Sequence, residues 1–423
     1  MSNDSFSRRD WLRASTLGAA GVSLHGWLPR LASRAAADEK TKRPKSCILL
    51  WMDGGPSQTH TFSIPDFEPD YKTIPTAVSG VHISEYLPKL AACMKDLAII
   101  RTMSTGLNNH APGQYLMHTG YRSSVAVNYP SLGAIVAKEC GQTDTGLPNY
   151  INLGSSSTPK SFHRAGALGA DYAPMMLKGS SVSDIKPPIL ARENARLELL
   201  RSVQQAEIAR FGGEQLRSHA ASYRKAIDLM HTDKTKAFKY KDEPQAVRER
   251  YGKSDFGAQC LQARRLVEVG AAFVEVSWGG WDHHGGAAEP VKKRSPQLDQ
   301  GFSALIEDLK QRGLLDTTLV VWMGEFGRGP LAKIGGGNNH HKGAGHYAKC
   351  WTTVLAGAGL KTGQVIGQTT ADGVDVQDRP VNTGDFFATL CQALDIDPAD
   401  TYEAAGRPVP YTATGSQAIE ELF

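Results

Sequence analysis

The stretch "CILLWMDGGPS", residues 47–57, decides how the chain is read. Six apolar residues in a row end at an acid and a Gly-Gly-Pro turn. A short apolar run closed by turn residues is the pattern of a strand buried on both faces. Strands of that kind belong to parallel sheets covered by helices. The same design recurs downstream. "AAFVEVSW" (271–278) runs into "GGWDHHGG", and "TTLVVWMG" (317–324) runs into "EFGRGP".

Between these runs lie helical patterns. "LPKLAACMKDLAII" (87–100) reads as a helix entering a strand at Leu97–Ile100. "SLGAIVAKEC" (131–140) reads as a helix and "NYINLG" (149–154) as a strand. "LDQGFSALIEDLKQRG" (298–313) is a helix and "KCWTTVLAG" (349–357) a strand. "TGDFFATLCQAL" (383–394) is a helix with Asp385 as its cap candidate. Strands alternate with helices and no internal repeat is present. The expected fold is α/β: a three-layer α/β/α sandwich with a mainly parallel sheet. A charged, helical insertion is expected at about 188–269, within a domain spanning 47–423.

The N-terminus has a different character. "SRRDWLRAS" carries the pair Arg8 and Arg9, followed by the modest apolar run "TLGAAGVSLHGWL" and the small residues before Ala37. Basic, apolar and small segments in that order form a twin-arginine export signal over residues 1–37. Residues 38–46 then form a polar linker. The expected location is periplasmic or secreted. The net charge of +4 over 423 residues comes largely from Arg8, Arg9, Arg13, Arg30 and Arg34, opposed there only by Asp4 and Asp10. With that segment removed the chain is nearly neutral, so nothing points to nucleic acid. No apolar run beyond the signal reaches the ~20 residues that span a bilayer. Cys47, Cys93, Cys140, Cys260, Cys350 and Cys391 are scattered without a Cys-x-x-Cys pair, and several sit in apolar runs that bury them.

In parallel α/β sheets, ligand sites collect beyond the carboxyl ends of the strands. Asp53, Asp282, His284 and Glu325 each follow such an end. "GGGNNHHKGAGHYAKC" (335–350) adds His340, His341 and His346 ahead of another strand. Acids and imidazoles converging from separate strand ends suit a divalent cation. Taken singly, Asp53 reads equally well as a turn residue, Asp282 as a helix cap, and Glu325 as the ion-pair partner of Arg328. His283 reads as a loop residue turned away from its neighbours, and Trp281 as core.

The ordered set "CILLWMDGGPSQTHTF", "NHAPGQYLMHTGYR", "YPSLGAIVAKE", "FVEVSWGGWDHHG", "LVVWMGEFGRGP" and "HYAKCWTTVLAGAGLKTGQVIG" resembles an exported family called domain of unknown function 1501, over about 46–397. These are sulfatase-like members of the alkaline phosphatase superfamily. The resemblance implies one or two divalent ions (zinc, calcium or manganese) held by Asp53, Asp282, His284, Glu325 and His346. His110 stands where a sulfatase carries its nucleophilic cysteine, and Gln114 replaces an arginine. A histidine cannot form the aldehyde hydrate that sulfatases use. His110 is therefore left as nucleophile, acid or base, metal ligand or structural residue. Phe326 and Gly345 stand where relatives carry further ligands.

The implied activity is metal-dependent hydrolysis of a small-molecule or glycan phosphate or sulfate ester, with His110 and Arg328 in catalysis. Arg328, or Arg122, would contact the anion. The alternative is an inactive sulfatase-like protein that binds an anionic glycan or an envelope partner.

Overall fold

The computed structural model describes residues 45–65, 71–142, 145–155, 164–177, 190–284, 286–329 and 345–423. The expected export signal, His340 and His341 lie outside the described residues. The strands of the central nine-stranded sheet are numbered here in chain order, with the helices of seven residues or more. β1 (Ser46–Met52) is followed by β2 (Ala98–Ser104), α1 (His110–Thr119), α2 (Leu132–Glu139), β3 (Tyr150–Ser155) and β4 (Met175–Leu177). Next come α3 (Leu190–Phe211), α4 (Glu214–His231), α5 (Gln245–Tyr251), α6 (Asp255–Glu268) and β5 (Phe273–Trp278). The chain continues with α7 (Ala288–Gln311), β6 (Thr318–Met323), β7 (Trp351–Gly357), β8 (Gln364–Ile366), β9 (Val381–Asn382) and α8 (Thr383–Ala393).

The strand order is β8-β2-β7-β6-β1-β5-β3-β4, with β9 also on β2. All pairings are parallel except those of β7, which runs antiparallel to both β2 and β6. β1 sits between β5 and β6, with Leu50 level with Val276 and Trp322. The alternation of β1 divides its side chains between two cores. Ile48, Leu50 and Met52 join residues of α6 and α7, including Cys260, Leu266, Phe302 and Leu305. Cys47, Leu49 and Trp51 join residues of α2 and α8, including Ile135, Val136, Phe386 and Leu390. Two apolar faces, each under helices, make the expected three-layer α/β/α sandwich.

The stretch at about 188–269 holds α3 to α6. Its last helix is a core element, since Phe256, Cys260, Leu261 and Leu266 are buried against the sheet. Asp385 is not the cap of α8. Asn382 caps it, accepting from the Asp385 backbone N–H at 2.9 Å, while Asp385 accepts from the Asn382 amide in return. An amide one turn earlier satisfies the first free N–H groups as well as an acid would. Cys140 is half-buried, the other five cysteines are buried, and all six are unbridged. Among the described residues no helix is long and apolar enough to cross a membrane.

A buried ion network binds α6 to its surroundings. The Arg264 guanidinium is 1% exposed and lies 2.8 Å from Glu243 and 2.9 Å from Asp308 of α7. It also donates to Glu268 at 2.5 Å. Tyr251 of α5 donates to the same Asp308 at 2.9 Å. Breaking a buried pair costs roughly 3–5 kcal/mol where the remaining charge is unpaired, an upper bound here because Arg265 still faces Glu243 and Arg312 still faces Asp308. Arg264→Ala is therefore expected to lower the unfolding free energy by no more than about that amount in denaturant titration. A change under about 1 kcal/mol would mean that the network is solvated.

Candidate metal centre

The parallel strands β1, β2, β5 and β6 all end at one rim of the sheet. β1 delivers Asp53, β5 the loop "GGWDHHGG", and β6 Glu325. β2 leads to α1, whose first residue is His110. Because β7 runs antiparallel, the segment before it lies at the same rim. That reversal brings in His346, which pairs with Arg328 in a two-residue ladder.

Four side chains converge there. His110, Asp282, His284 and His346 each offer one ligand atom, and these atoms all lie within 4.8 Å of one another. Asp282 is the centre of the group. Its carboxylate lies 2.8 Å from His284 Nε2, 3.2 Å from His110 Nε2 and 3.4 Å from His346 Nε2. Second partners orient two of the rings. His110 Nδ1 lies 2.6 Å from Glu325 Oε1, and His346 Nδ1 lies 2.5 Å from the Asn108 carbonyl oxygen. A carbonyl oxygen only accepts, so the His346 proton sits on Nδ1 and its Nε2 carries a free lone pair. An ionised Glu325 places the His110 proton in the same way. Both Nε2 atoms are buried, and their contacts with Asp282 fall outside hydrogen-bond geometry. Buried polar atoms left without partners are costly and point to a missing ligand. Three imidazoles and one carboxylate fit a divalent transition-metal ion.

The remaining expected residues lie behind this cluster or brace it. Glu325 is fully buried, and both its oxygens accept from the Gly54 N–H at 3.1 and 3.2 Å. Asp53 is also buried and accepts from Gln114 Nε2 at 2.7 Å. Gln114 lies 3.4 Å from Glu325 as well, so it spans the two acids. Asp53 and Glu325 stand outside the four-residue group.

Arg328 is the partner of Asp282 at 2.6 Å, not of Glu325. Its guanidinium is fully buried and also donates to the carbonyls of Gly54, Gly55 and His283. Those bonds take four of its five N–H donors and use it as a clamp on two loops. Arg122 donates to the Thr105 carbonyl at 3.4 Å. Gly54, at φ +110°, is required by close approach: a Cβ there would collide with the backbone nitrogen of Asp282. Phe326 stacks on His346, with ring centres 4.6 Å apart, and Trp281 is core.

In sequence Gln114 stands only as a replaced arginine, and His110 has several open roles. The signal was the spacing His110, Gln114, His118 on one face of α1. Their side chains meet Glu325, Asp53 and Glu275 in turn, acids from three different strands.

Electrostatics follow from these contacts. Burial pushes the Asp282 carboxyl up, but Arg328, then His110 and His284, outweigh it and hold it down at about 2. His110 is raised, first by its hydrogen bond to Glu325. His346 is lowered by burial. Glu325 is raised by burial, against the pull of His110.

The His110 shift has a sign that can be checked. A raised folded pKa contributes stability that is full below the unfolded value of about 6.5 and is lost as pH rises through the folded value. In chelator, wild type should therefore lose its stability advantage over His110→Gln on going from pH 6 to pH 9. Metal uptake should run the other way. It must displace the His110 proton, so affinity rises with pH and calorimetry should record proton release. A pH-independent affinity would contradict this ligand assignment.

No curated protein matches the chain. Among solved structures, Ps i-CgsB in complex with k-i-k-neocarrahexaose is 13% identical, over 84% of this chain and 72% of that one, with a TM-score of 0.42. The PsFucS1 sulfatase from Pseudoalteromonas sp. is 12% identical, over 86% and 70%, with a TM-score of 0.40. The phosphonate monoester hydrolase of Agrobacterium radiobacter is 12% identical, over 89% and 77%, with a TM-score of 0.38. The family model described as protein of unknown function (DUF1501) matches residues 44–423, and the chain belongs to that family.

Proposed function

We propose that this protein is an exported, divalent-metal-dependent hydrolase of phosphate or sulfate esters. The observation that carries the reading is the four-donor cluster of His110, Asp282, His284 and His346, two of whose imidazole nitrogens are buried facing the carboxylate without hydrogen-bond geometry. A donor set of three imidazoles and one carboxylate suits zinc or manganese better than calcium, which takes oxygen ligands. When bound, such an ion supplies Lewis-acid stabilisation of the charge on a phosphoryl or sulfuryl oxygen.

The chain's own residues set up that chemistry. Glu325 keeps a proton on His110 Nδ1, and the Asn108 carbonyl does the same for His346. Arg328 fixes the Asp282 carboxylate and offsets its charge. Phe326 packs its buried ring against His110 and His346. Arg328 then acts on substrate only through Asp282, and His110 serves the ion in place of attacking the ester. The sequence resemblance to sulfatase-like families supports the ester class, and the paired arginines near the N-terminus support export.

The test is metal analysis of the exported protein, with turnover of aryl phosphates and aryl sulfates in zinc, manganese and EDTA. About one tightly held ion per chain and EDTA-sensitive hydrolysis are expected. A chain that binds no ion after dialysis against zinc loses this reading.

A further inference from the structure

A second feature borders the metal cluster. On the other side of the 279–284 loop lies a cavity of about 630 Å³, within the range of small-molecule sites. The His283 ring lines it, while the ligand atoms of Asp282 and His284 belong to the metal cluster. The clamp from Arg328 to the His283 carbonyl and the Asp282 carboxylate holds the loop in this two-sided arrangement.

The lining has a distinctive chemistry. One wall is aromatic, with Trp278 stacked on Phe256 at a centroid distance of 4.4 Å. Arg294 of α7 lies over the Trp278 ring at 5.1 Å. It is seated there because residue 280 is glycine: a Cβ at Gly280 would overlap the guanidinium. Lys293 and Arg294 bring positive charge, and Asp255 and Glu289, from the first turns of α6 and α7, bring negative charge. Gln297 adds an amide. His283 Nε2 is buried and has no hydrogen-bond partner among the described residues.

Two acids and two cations facing one space disfavour any strongly charged occupant. A free phosphate meets Asp255 and Glu289, and a cation meets Lys293 and Arg294. The same groups offer donors and acceptors in several directions, which suits neutral hydroxyls. The part-exposed Trp278, backed by the buried Phe256, completes a site for a polyhydroxylated ring.

We infer that this cavity binds an uncharged saccharide unit, independently of the proposed hydrolase reading.

The test is an array of neutral, uronic and sulfated oligosaccharides, challenged with the full chain in EDTA and again in zinc. Retained sugars are then titrated against the Trp278 and Trp281 fluorescence. Retention in EDTA is expected, with affinity at least tenfold weaker in Arg294→Ala and in a Lys293→Ala, Gln297→Ala double variant. The double variant alters only exposed side chains of α7, so it remains folded if Arg294→Ala does not. No saccharide retained in either buffer, or affinity unchanged in the double variant, overturns the site. Retention in EDTA without aryl-ester turnover would remove the proposed activity and leave this cavity standing. Turnover without retention does the reverse.

Discussion

Asp282→Ala is expected to abolish stoichiometric zinc binding and to lower the proposed ester turnover by at least about 100-fold. Asp282 is the only carboxylate in the four-residue group, and it contacts each of the three imidazoles. Without it, three neutral rings face the ion beside the buried positive charge of Arg328. Losing a group that merely orients a ligand typically costs 10–100-fold in metal affinity, so losing the ligand itself costs at least the upper end. Arg328 also loses its ion-pair partner, which destabilises a buried charge. His284→Ala separates the two effects. Its ring is 62% exposed and, among the described residues, its ion pair is with Asp282. Its loss should weaken zinc binding with the unfolding temperature unchanged. Isothermal titration on both variants, with thermal melts in EDTA, makes the comparison. Wild-type zinc stoichiometry in Asp282→Ala would sink the site.

The second large effect is expected at a residue outside the cluster. Glu325→Gln should weaken zinc binding by about 10–100-fold, although Glu325 is fully buried and not one of the four donors. The carboxylate accepts from His110 Nδ1 and so directs the Nε2 lone pair towards the ion site. A glutamine amide can donate to Nδ1 instead, which puts the imidazole proton on Nε2, where the ion would sit. The change is nearly isosteric and keeps one acceptor for the Gly54 N–H. Glu325→Asp restores the acceptor on a shorter arm and should recover part of the affinity. Equal affinity in wild type and Glu325→Gln would show that the tautomer of His110 does not matter.

Much of the fold was legible because apolar runs ending in turn residues are local patterns. "CILLWM", "FVEVSW" and "LVVWM" could be placed as buried strands without any long-range knowledge. The acid or imidazole after each run was then a candidate by position alone. Asp282 and His284 were found that way, and they belong to the cluster. Asp53 and Glu325 were found by the same rule and lie behind it. Chain position cannot tell a residue that faces the candidate metal site from one that lies behind it. That difference rests on side-chain direction, and here on the Gly54 N–H holding Glu325 inward.

By itself, then, the sequence determined the buried strands, their order along the chain and which residues stand at their ends. Tertiary structure alone decided who meets whom. The direction of β7 is set by its neighbours β2 and β6, because an apolar run looks the same read into a parallel or an antiparallel ladder. Only the antiparallel choice puts His346, which precedes its strand, at the rim where the other ligands follow theirs. Arg328 likewise sits three residues from Glu325 yet pairs with Asp282. Hydrogen bonds and ion pairs are chosen by distance in space, which local sequence spacing does not encode.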